Sequence, residues 1–432
     1  MVRNIVMQKK KKSPWLIFIA IVLAMFVGSW SGTETTIFGI KLYSAYDLLG
    51  KLFINALTLV VVPLVSSSII TGVARIGNDA AFGRLGLKTF TFYITTSLVA
   101  ILLGLLFVNL FNPGSVIHPD TLKNYASIDA LSVQQHLSTQ EGHKITEVIL
   151  QIIPSNVVEA FSHGQMLGLI FFSLIFGYSI SKIESHPSSI LIGFWQGIFQ
   201  AMIRITHMVM KFLPLGVFCL VAKVFATTGV ESLHSLGLFT LSVILGLLAF
   251  VFVALPLILK YIAKVKPSRH FKAMAPALIT AFSTSSSSAT LPITIDCVEK
   301  RAGVSNRICS LVIPLGTSLN MSGSALYECV AAMFVAQAYG IDLSFSTQFI
   351  VVLLALITSI GVAGVPSASL VAVIVILKAI GLPVEGIGLF IAVDRILDMC
   401  RTTVNVFSDS CCAVLVARTE GEKHVLEKEV FE

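Results

Sequence analysis

The sequence predicts an all-α polytopic membrane protein with eight transmembrane helices and two re-entrant helical hairpins. Its composition is 55% hydrophobic and only 12% charged, whereas soluble proteins carry about 25% charged residues. Long apolar stretches recur along the chain at lengths that suit a bilayer. Two further apolar segments are interrupted near their middles by small residues and a proline, which a straight spanning helix would not place at mid-depth.

Eight stretches are apolar over the length of a membrane-spanning helix. The first follows MVRNIVMQKKKK and has the form of a signal peptide as well, but the remaining topology requires a spanning helix there. The predicted spans are residues 14–31, 45–74, 86–111, 164–182, 189–226, 236–263, 307–338 and 386–417.

The two interrupted segments cover about 271–297 and 346–380 and contain STSSSSATLP at 283–292 and SIGVAGVPSAS at 359–369. Non-helical backbone inside a membrane is tolerated only where it is buried in protein or lines a cavity. Each segment is therefore interpreted as a re-entrant hairpin: one helix in, a tip of small residues, and one helix out.

The basic residues set the orientation. If the amino terminus is cytoplasmic, the predicted outer loops 227–235, 339–345 and 381–387 contain no Lys or Arg, as the positive-inside rule requires. This holds only if each hairpin returns to its own side, the first to the cytoplasm and the second to the outside. The net charge of +7 then reflects topology and not a nucleic-acid partner. We expect a multi-pass protein of the cell (inner) membrane with both termini cytoplasmic.

The seven cysteines are scattered through apolar segments, apart from the Cys411–Cys412 pair, and form no CxxC motif. They predict neither a disulfide framework nor a metal centre. An intramembrane hydrolase using one of the serines at 285–288 would need a nearby base, and only His207 lies well inside an apolar span. The sequence therefore does not favour an enzyme.

One predicted helix, residues 391–417, carries five polar side chains at helical spacing. Asp394, Asp398, Arg401, Asn405 and Asp409 fall on a stripe about 80° wide. A charged group in hydrocarbon costs on the order of 2.5–3.5 kcal/mol even on the lenient insertion scale. The stripe must therefore face protein or a watered cavity, and it is either a functional site or a structural network of ion pairs between helices.

The stripe has a chemical logic for binding a small zwitterion. Asp398 is suited to an ammonium group, and Arg401, three residues later on the same face, to a carboxylate in bidentate contact. Hairpin tips supply freed backbone donors for a second carboxylate. Two broken segments that approach from opposite sides are the pattern of a transporter binding site. An amine with two carboxylates describes glutamate or aspartate.

Other polar groups within apolar segments suit cations. The run Gly316, Ser318, Asn320 and Met321 predicts an unwound turn whose carbonyls can coordinate a hard cation. Asp409 with the Asn405 and Asn320 amides would form an oxygen cage for Na⁺. Burying an anionic substrate requires compensating cations, so coupling to Na⁺ or H⁺ is expected. Glu328 is a lone carboxylate in an apolar helix and is either paired or protonated.

Four ordered motifs carry a resemblance to a known family: SSSSATLP, PLGTSLNMSGSALYE, SIGVAGVPSAS and DRILDMCRTTVNVFSD. They are similar to the signatures of the dicarboxylate/amino acid:cation symporters, the glutamate/aspartate transporter family. The strong match covers about 270–418. The amino-terminal half agrees in hydropathy and in the short pieces VVPLVSSSIITGV, YITTS with FNPG, and KFLPLGVF.

The resemblance implies a homotrimer in the lipid bilayer that works as an elevator-type transporter. A static scaffold would hold a transport domain that moves across the membrane. The implied divisions are 14–84 for scaffold helices 1–2, 85–111 for transport-domain helix 3, 112–163 for an extracytoplasmic loop, 164–226 for scaffold helices 4–5, and 236–418 for the rest of the transport domain.

The resemblance also assigns residues by motif. Arg401 would bind the side-chain carboxylate of the substrate and Asp398 its amine, with the rest of the substrate pocket formed by Ser286, Ser287, Ser288, Ser324, Val365, Thr402 and Asn405. One Na⁺ would use Gly316, Asn320, Asn405 and Asp409. A second would use Ser318, Ser359, Ile360 and Val362. A third would use Tyr93, Thr96, Ser97 and Asn320. No other cofactor is implied.

The sequence departs from the family pattern at several positions. Ser322 stands where an aspartate helps to bind the third Na⁺, which puts that site in doubt. Ser369 and Ser408 replace glycines. Ser285 stands where some members carry an arginine, and Arg395 is a candidate to supply that charge. Glu328 matches a proton-carrying position in some relatives. The implied function is import of acidic amino acids, with a C4-dicarboxylate or neutral amino acid symporter as the alternative.

Overall fold

A computed structural model describes residues 15–37, 39–76, 83–116, 153–163, 166–228, 232–341, 343–360 and 368–427. These residues are almost entirely helical, as predicted. The one exception is a two-stranded antiparallel hairpin, β1 (Thr36–Ile37) and β2 (Ile40–Lys41), which pairs Thr36 with Lys41. Four helical stretches in the described part are long and apolar enough to cross a membrane: Leu42–Ala74, Leu85–Ser115, His234–Tyr261 and Asn306–Ala338.

Within its described residues, the amino-terminal half has seven α-helices. They are α1 (Trp15–Ser31), α2 (Leu42–Ile76), α3 (Gly83–Phe111), α4 (Val157–His163), α5 (Met166–Ile180), α6 (Ser185–Val209) and α7 (Leu213–Thr228). Helix α1 packs along α7, and α2 packs against α5, α6 and α7. Helix α3 leaves this group and packs instead against the carboxyl-terminal half.

The predicted single helix over 189–226 is wrong, because the chain forms two helices there. Helix α6 ends at Val209, a 3₁₀ turn covers Met210–Phe212, and α7 begins at Leu213. Pro214 is the second residue of α7. Proline has no N–H for the helical ladder and is best accommodated in the first turn of a helix, which is the position that Pro214 takes in α7.

The described part of the carboxyl-terminal half has nine α-helices. They are α8 (Ser232–Ala249), α9 (Leu255–Tyr261), α10 (Pro267–Thr284), α11 (Ser287–Asp296), α12 (Asn306–Leu319), α13 (Ser322–Ala338), α14 (Phe345–Ser359), α15 (Ala368–Ala379) and α16 (Ile391–Thr419). A π-helical turn, Phe250–Ala254, joins α8 to α9, a second, Cys297–Arg301, follows α11, and a 3₁₀ helix, Val384–Leu389, precedes α16.

Helix α13 is the centre of this half. Every one of its residues except Gln337 is buried, and it packs against α3, α8, α14, α15 and α16. Small residues such as Gly323 let the partner backbone approach closely, since a Cβ there would lie 3.0 Å from the Arg401 carbonyl oxygen. Helix α13 and the helix that carries the polar stripe, α16, are therefore placed side by side.

The predicted unwound turn at Asn320 and Met321 is confirmed. Helix α12 ends at Leu319, and both following residues leave helical geometry, with φ −115° and ψ 77° at Asn320 and φ −104° and ψ 49° at Met321. The break frees backbone groups at the point where α12 and α13 meet α16.

Two pairs of consecutive helices pack together at the predicted hairpin positions. Helices α10 and α11 are joined by Ser285, which takes a left-handed conformation (φ 50°, ψ 36°), and Ser286, which caps α11. Helices α14 and α15 also pack on one another, while the predicted tip residues 361–367 lie outside the described residues. The first pair contacts α16, and the second pair contacts α13.

A candidate substrate and ion site

The predicted polar stripe lies on α16 and is buried. The exposed fractions are 3% for Asp394, 5% for Asp398, 0% for Arg401, 3% for Asn405 and 0% for Asp409. Their spacing puts all five on one face of the helix, and α12 and α13 pack against α16. Thr402, at the edge of the stripe, is buried as well.

The first half of the stripe is a cluster of charges around Arg401. Its Nη2 group donates to Asp394 Oδ1 at 2.9 Å and to Asp398 Oδ1 at 3.0 Å. Tyr327 of α13 donates its hydroxyl to the same Asp394 oxygen at 2.9 Å, and its ring centroid lies 3.6 Å from the Arg401 guanidinium carbon. Both acids and the ring stabilise the buried cation.

Arg401 has hydrogen-bond donors that no protein group accepts within the described residues. Its Nε and Nη1 groups are buried, and neither has a hydrogen-bond partner within the described residues. A buried unpaired donor costs on the order of 1–3 kcal/mol, more when it is charged. The N–H groups of Nε and Nη1 point to different sides of the guanidinium, so each can donate a single hydrogen bond to a carboxylate oxygen. The arrangement is therefore suited to an anionic ligand.

Arg395 lies beside this cluster, with its Nη1 3.6 Å from Asp398 Oδ2. This ion pair is longer than a hydrogen bond. Arg395 thus adds positive charge next to Asp398, and its replacement of an arginine at Ser285 stays a prediction. The Ser285 hydroxyl is itself buried without a hydrogen-bond partner in the described part of the chain.

Asn405 joins the two halves of the stripe. Its Oδ1 accepts from the backbone N–H of Gly323 at 2.8 Å, and its Nδ2 lies 3.2 Å from Ser324 Oγ and 3.2 Å from Met321 Sδ. The amide therefore holds α16 against the first turn of α13, next to the helix break.

The second half of the stripe is built from neutral groups around one carboxylate. Asn320 Nδ2 donates to Asp409 Oδ1 at 2.8 Å and to Ser408 Oγ at 3.0 Å. Ser322 donates to Asn320 Oδ1 at 2.8 Å and lies 3.1 Å from the Ser97 hydroxyl of α3. Asp409 Oδ2 is buried with no hydrogen-bond partner among the described residues.

Of the predicted cation ligands from α3 and α12, Gly316 lies against the same carboxylate and against Tyr93. Gly316 packs directly on Asp409 and Tyr93, with no room for a Cβ. The Tyr93 hydroxyl donates to the Val312 carbonyl oxygen at 2.8 Å. Thr96, the residue before Ser97, is buried and bonds back to the Phe92 carbonyl oxygen. An orphaned carboxylate oxygen beside hydroxyls and freed carbonyls fits an oxygen-coordinated cation.

Glu328 lies on α13 and is completely buried. Its Oε2 accepts from the Thr358 hydroxyl of α14 at 2.8 Å, while its Oε1 has no hydrogen-bond partner within the part of the chain that the structure describes. Its one hydrogen-bond partner is thus a neutral hydroxyl, and no salt bridge to Glu328 is found among the described residues.

The remaining predicted residues lie at or near the hairpin tips. Ser286 accepts from the Ala289 N–H at 3.2 Å as the cap of α11. Ser287 is buried and Ser288 exposed. Ser359 and Ile360 are buried at the end of α14. Val362 and Val365 lie outside the described residues, as does the side chain of Ser318.

Sequence reasoning assigned no role to Tyr327 or Thr358, and it left Asp394 as an unassigned member of the stripe. Tyr327 lies one turn after Ser324 on α13, so its place in a polar motif was a usable signal. Thr358 precedes Ser359 and resembles the many helical threonines that bond only to their own backbone. Its contact with Glu328 depends on how α13 and α14 pack.

Comparison with known proteins agrees with these features. The model of the sodium:dicarboxylate symporter family matches residues 14–419. The proton/sodium-glutamate symport protein of Bacillus caldotenax is 37% identical over 94% of both chains. The proton/glutamate-aspartate symporter of Escherichia coli (strain K12) is 35% identical, covering 94% of this chain and 92% of its own. Human excitatory amino acid transporter 3 is 35% identical, covering 86% of this chain and 78% of its own. The chain therefore belongs to the sodium:dicarboxylate symporter family.

Proposed function

We propose that this protein is a secondary active symporter that imports acidic amino acids, glutamate or aspartate, coupled to Na⁺, H⁺ or both. The observation that carries the proposal is the buried guanidinium of Arg401, which holds two acids through Nη2 and leaves Nε and Nη1 unpaired. Relatives of similar length are named as glutamate and glutamate-aspartate symporters.

Arg401 binds the side-chain carboxylate of the substrate in this proposal, through its free N–H groups. Asp398, 7% exposed at its side chain, takes the substrate ammonium. The remaining contacts come from buried polar groups around it and from the hairpin tips: Ser286, Ser287, Ser288, Ser324, Val365, Thr402 and Asn405. An amine-free dicarboxylate would bring no ammonium to Asp398, and a neutral amino acid would bring no second carboxylate to the free Nε and Nη1 groups of Arg401, so both alternatives are disfavoured.

The first Na⁺ site is assigned to Asp409 with Gly316, Asn320 and Asn405. The orphaned Asp409 Oδ2 and the absence of a side chain at Gly316 support a bound cation there. The second Na⁺ site is assigned to Ser318, Ser359, Ile360 and Val362, near the break between α12 and α13 and the end of α14. The backbone carbonyl oxygens freed at these helix ends carry partial negative charge, so this site can bind Na⁺ without a carboxylate.

The third site is assigned to Tyr93, Thr96, Ser97 and Asn320, with Ser322 where a relative would supply an aspartate. Ser322 already bonds to Asn320 and Ser97, and a hydroxyl contributes no net charge. Dipoles alone compensate a buried charge poorly. We infer that this protein moves fewer Na⁺ per substrate than relatives with the aspartate, or replaces one Na⁺ by H⁺ carried on Glu328.

The membrane topology, the assembly and the division into two domains are proposed from the family resemblance. Eight spans and two re-entrant hairpins, α10–α11 and α14–α15, would assemble as a homotrimer in the cell membrane with both termini cytoplasmic. Helices α1, α2 and α5–α7 would form the scaffold, and α3 with α8–α16 the elevator that carries the site. Helix α3 packs against the helices of the carboxyl-terminal half, which supports this division.

The test is uptake of radiolabelled glutamate into proteoliposomes with an imposed inward Na⁺ gradient, H⁺ gradient, or neither. We expect accumulation only with a gradient, and competition by aspartate stronger than by succinate or serine. The reversal potential of substrate flux at set gradients gives the number of ions per substrate. Accumulation of serine or succinate in preference to glutamate would overturn the substrate assignment.

A further inference from the structure

Glu328 and Thr358 join the centre of the carboxyl-terminal half to the second hairpin. Glu328 lies in the middle of α13 and is 0% exposed, and Thr358 lies in the last turn of α14 and is 1% exposed. The Thr358 hydroxyl is 2.8 Å from Glu328 Oε2. The helix ends at Ser359, one residue after Thr358.

The Thr358 hydroxyl has more acceptors than protons. It lies 2.8 Å from Glu328 Oε2, 2.8 Å from the Leu354 carbonyl oxygen and 3.3 Å from the Ala355 carbonyl oxygen. A hydroxyl has one proton to donate and two lone pairs with which to accept. The proton can therefore go across to Glu328 or back along α14, but not fully to both.

The charge on Glu328 decides between these two arrangements. A carboxylate only accepts, so an ionised Glu328 draws the Thr358 proton across in a charge-assisted bond. A neutral Glu328 carrying its proton on Oε2 donates to Thr358 Oγ1 instead, and the Thr358 proton then returns to the Leu354 carbonyl. The bond between α13 and α14 thus reverses direction and changes strength when Glu328 gains or loses its proton.

Few other groups act on Glu328. Among the described residues, Arg401 on α16 is the charged side chain whose field reaches it, and Arg401 is itself held by Asp394 and Asp398. Cys329 beside it on α13 is the other titratable neighbour. Thr358 is the hydrogen-bond donor that the structure gives to the carboxyl group.

We propose that Thr358 is the positioning residue through which the second hairpin responds to the proton on Glu328. The inference rests on the proposed role of Glu328 as proton carrier. When Glu328 is ionised, the Thr358 hydroxyl donates to it and stabilises the carboxylate. When Glu328 is protonated, the Thr358 hydroxyl donates to the Leu354 carbonyl oxygen instead. The end of α14 is therefore held differently in the two states, directly beside the predicted Na⁺ ligands Ser359 and Ile360.

The test compares Thr358→Val, which keeps the shape but removes the hydroxyl, with Thr358→Ser, which keeps the hydroxyl. The readout is glutamate uptake into proteoliposomes as a function of external pH at saturating Na⁺. Without its donor, ionised Glu328 is disfavoured, so the pH at which uptake falls to half should rise by about one unit in Thr358→Val. Thr358→Ser should keep the wild-type midpoint.

Glu328→Gln separates failure of this inference from failure of the proposed function. A flattened pH profile in Glu328→Gln with an unshifted midpoint in Thr358→Val would overturn the role of Thr358 and leave the proton carrier in place. A flat profile in the wild type, unchanged in Glu328→Gln, would overturn the carrier and this inference together. Equal loss of uptake at every pH in Thr358→Val and Thr358→Ser would show a packing role only, and overturn the inference.

Discussion

The two halves of the α16 stripe differ in how their buried charges are compensated. Around Arg401, each charge faces one of opposite sign, from Asp394 and Asp398, and an aromatic ring covers the guanidinium. Around Asp409, the carboxylate faces only neutral groups, the Asn320 amide and the hydroxyls behind it, and one of its oxygens has no hydrogen-bond partner in the described structure.

The difference shows what each half still needs. In the half around Arg401, called the charged half here, positive and negative charges are close to balanced. It therefore suits a ligand that carries both signs, such as an amino acid zwitterion with a second carboxylate. The half around Asp409, called the neutral half here because its other groups carry no charge, contains one buried carboxylate. A buried negative charge is unfavourable without a partner cation. The first half is therefore expected to select the substrate, and the second to bind the coupling ion.

The largest effect is expected from Arg401→Cys, which removes the cation that the charged half is built around. Losing a charge-assisted contact to a buried partner costs on the order of 2–5 kcal/mol, so glutamate affinity should fall roughly 30-fold to more than 1,000-fold. Neutral amino acids should become better substrates by comparison. The measurement is binding and uptake of labelled glutamate and serine.

The matched control for Arg401→Cys is Ile396→Cys, on the same helix but away from the stripe and 38% exposed. It should transport glutamate normally. Retained glutamate affinity in Arg401→Cys would contradict the assignment of this half to the substrate carboxylate.

The next effect is expected from Asp398→Asn, which removes the charge proposed to meet the substrate amine. Hydrogen bonds to charged groups contribute about 1.5–3 kcal/mol, so glutamate affinity should fall about 10- to 100-fold. Competition by succinate should fall much less, because succinate has no ammonium. Asp296→Asn, whose carboxylate is exposed and pairs with Lys300, is the control. Equal losses for glutamate and succinate would be inconsistent with this role.

A smaller and different effect is expected from Ser322→Asp, which would make the neutral half resemble relatives with an aspartate. The substitution adds the formal charge that a third Na⁺ lacks, so Na⁺ dependence of glutamate binding should steepen and the reversal potential should indicate more Na⁺ per substrate. Ser322→Ala should leave the stoichiometry at the wild-type value. A wild type that already moves three Na⁺ per glutamate would show that hydroxyls hold this ion without the charge.

The smallest effect is expected from Tyr327→Phe, which keeps the ring over Arg401 and removes only the bond to Asp394. One hydrogen bond contributes about 1 kcal/mol, so glutamate affinity should change by roughly fivefold while Na⁺ dependence stays unchanged. Tyr178→Phe, at a side chain that is 58% exposed, is the control. A change in Na⁺ dependence as large as the change in glutamate affinity would mean that the two halves are not separable.

The neutral half also shows how far sequence reasoning reached. The small and polar residues of PLGTSLNMSGSALYE predicted an unwound turn, and the turn is present at Asn320 and Met321. The replacement of an acid by Ser322 was visible in the sequence. That Ser322 bonds to Ser97, more than 200 positions earlier in the chain, was implied only by family resemblance.

By itself the sequence determined the helical membrane class and the single face of α16 that carries Asp394, Asp398, Arg401, Asn405 and Asp409. Both follow from composition and from 3.6-residue periodicity, which are local properties of the chain. Periodicity says which residues share a helix face, but not which faces meet. Only the tertiary structure decided that Tyr327 covers Arg401 and that Thr358 meets Glu328, because those contacts depend on how α13, α14 and α16 pack.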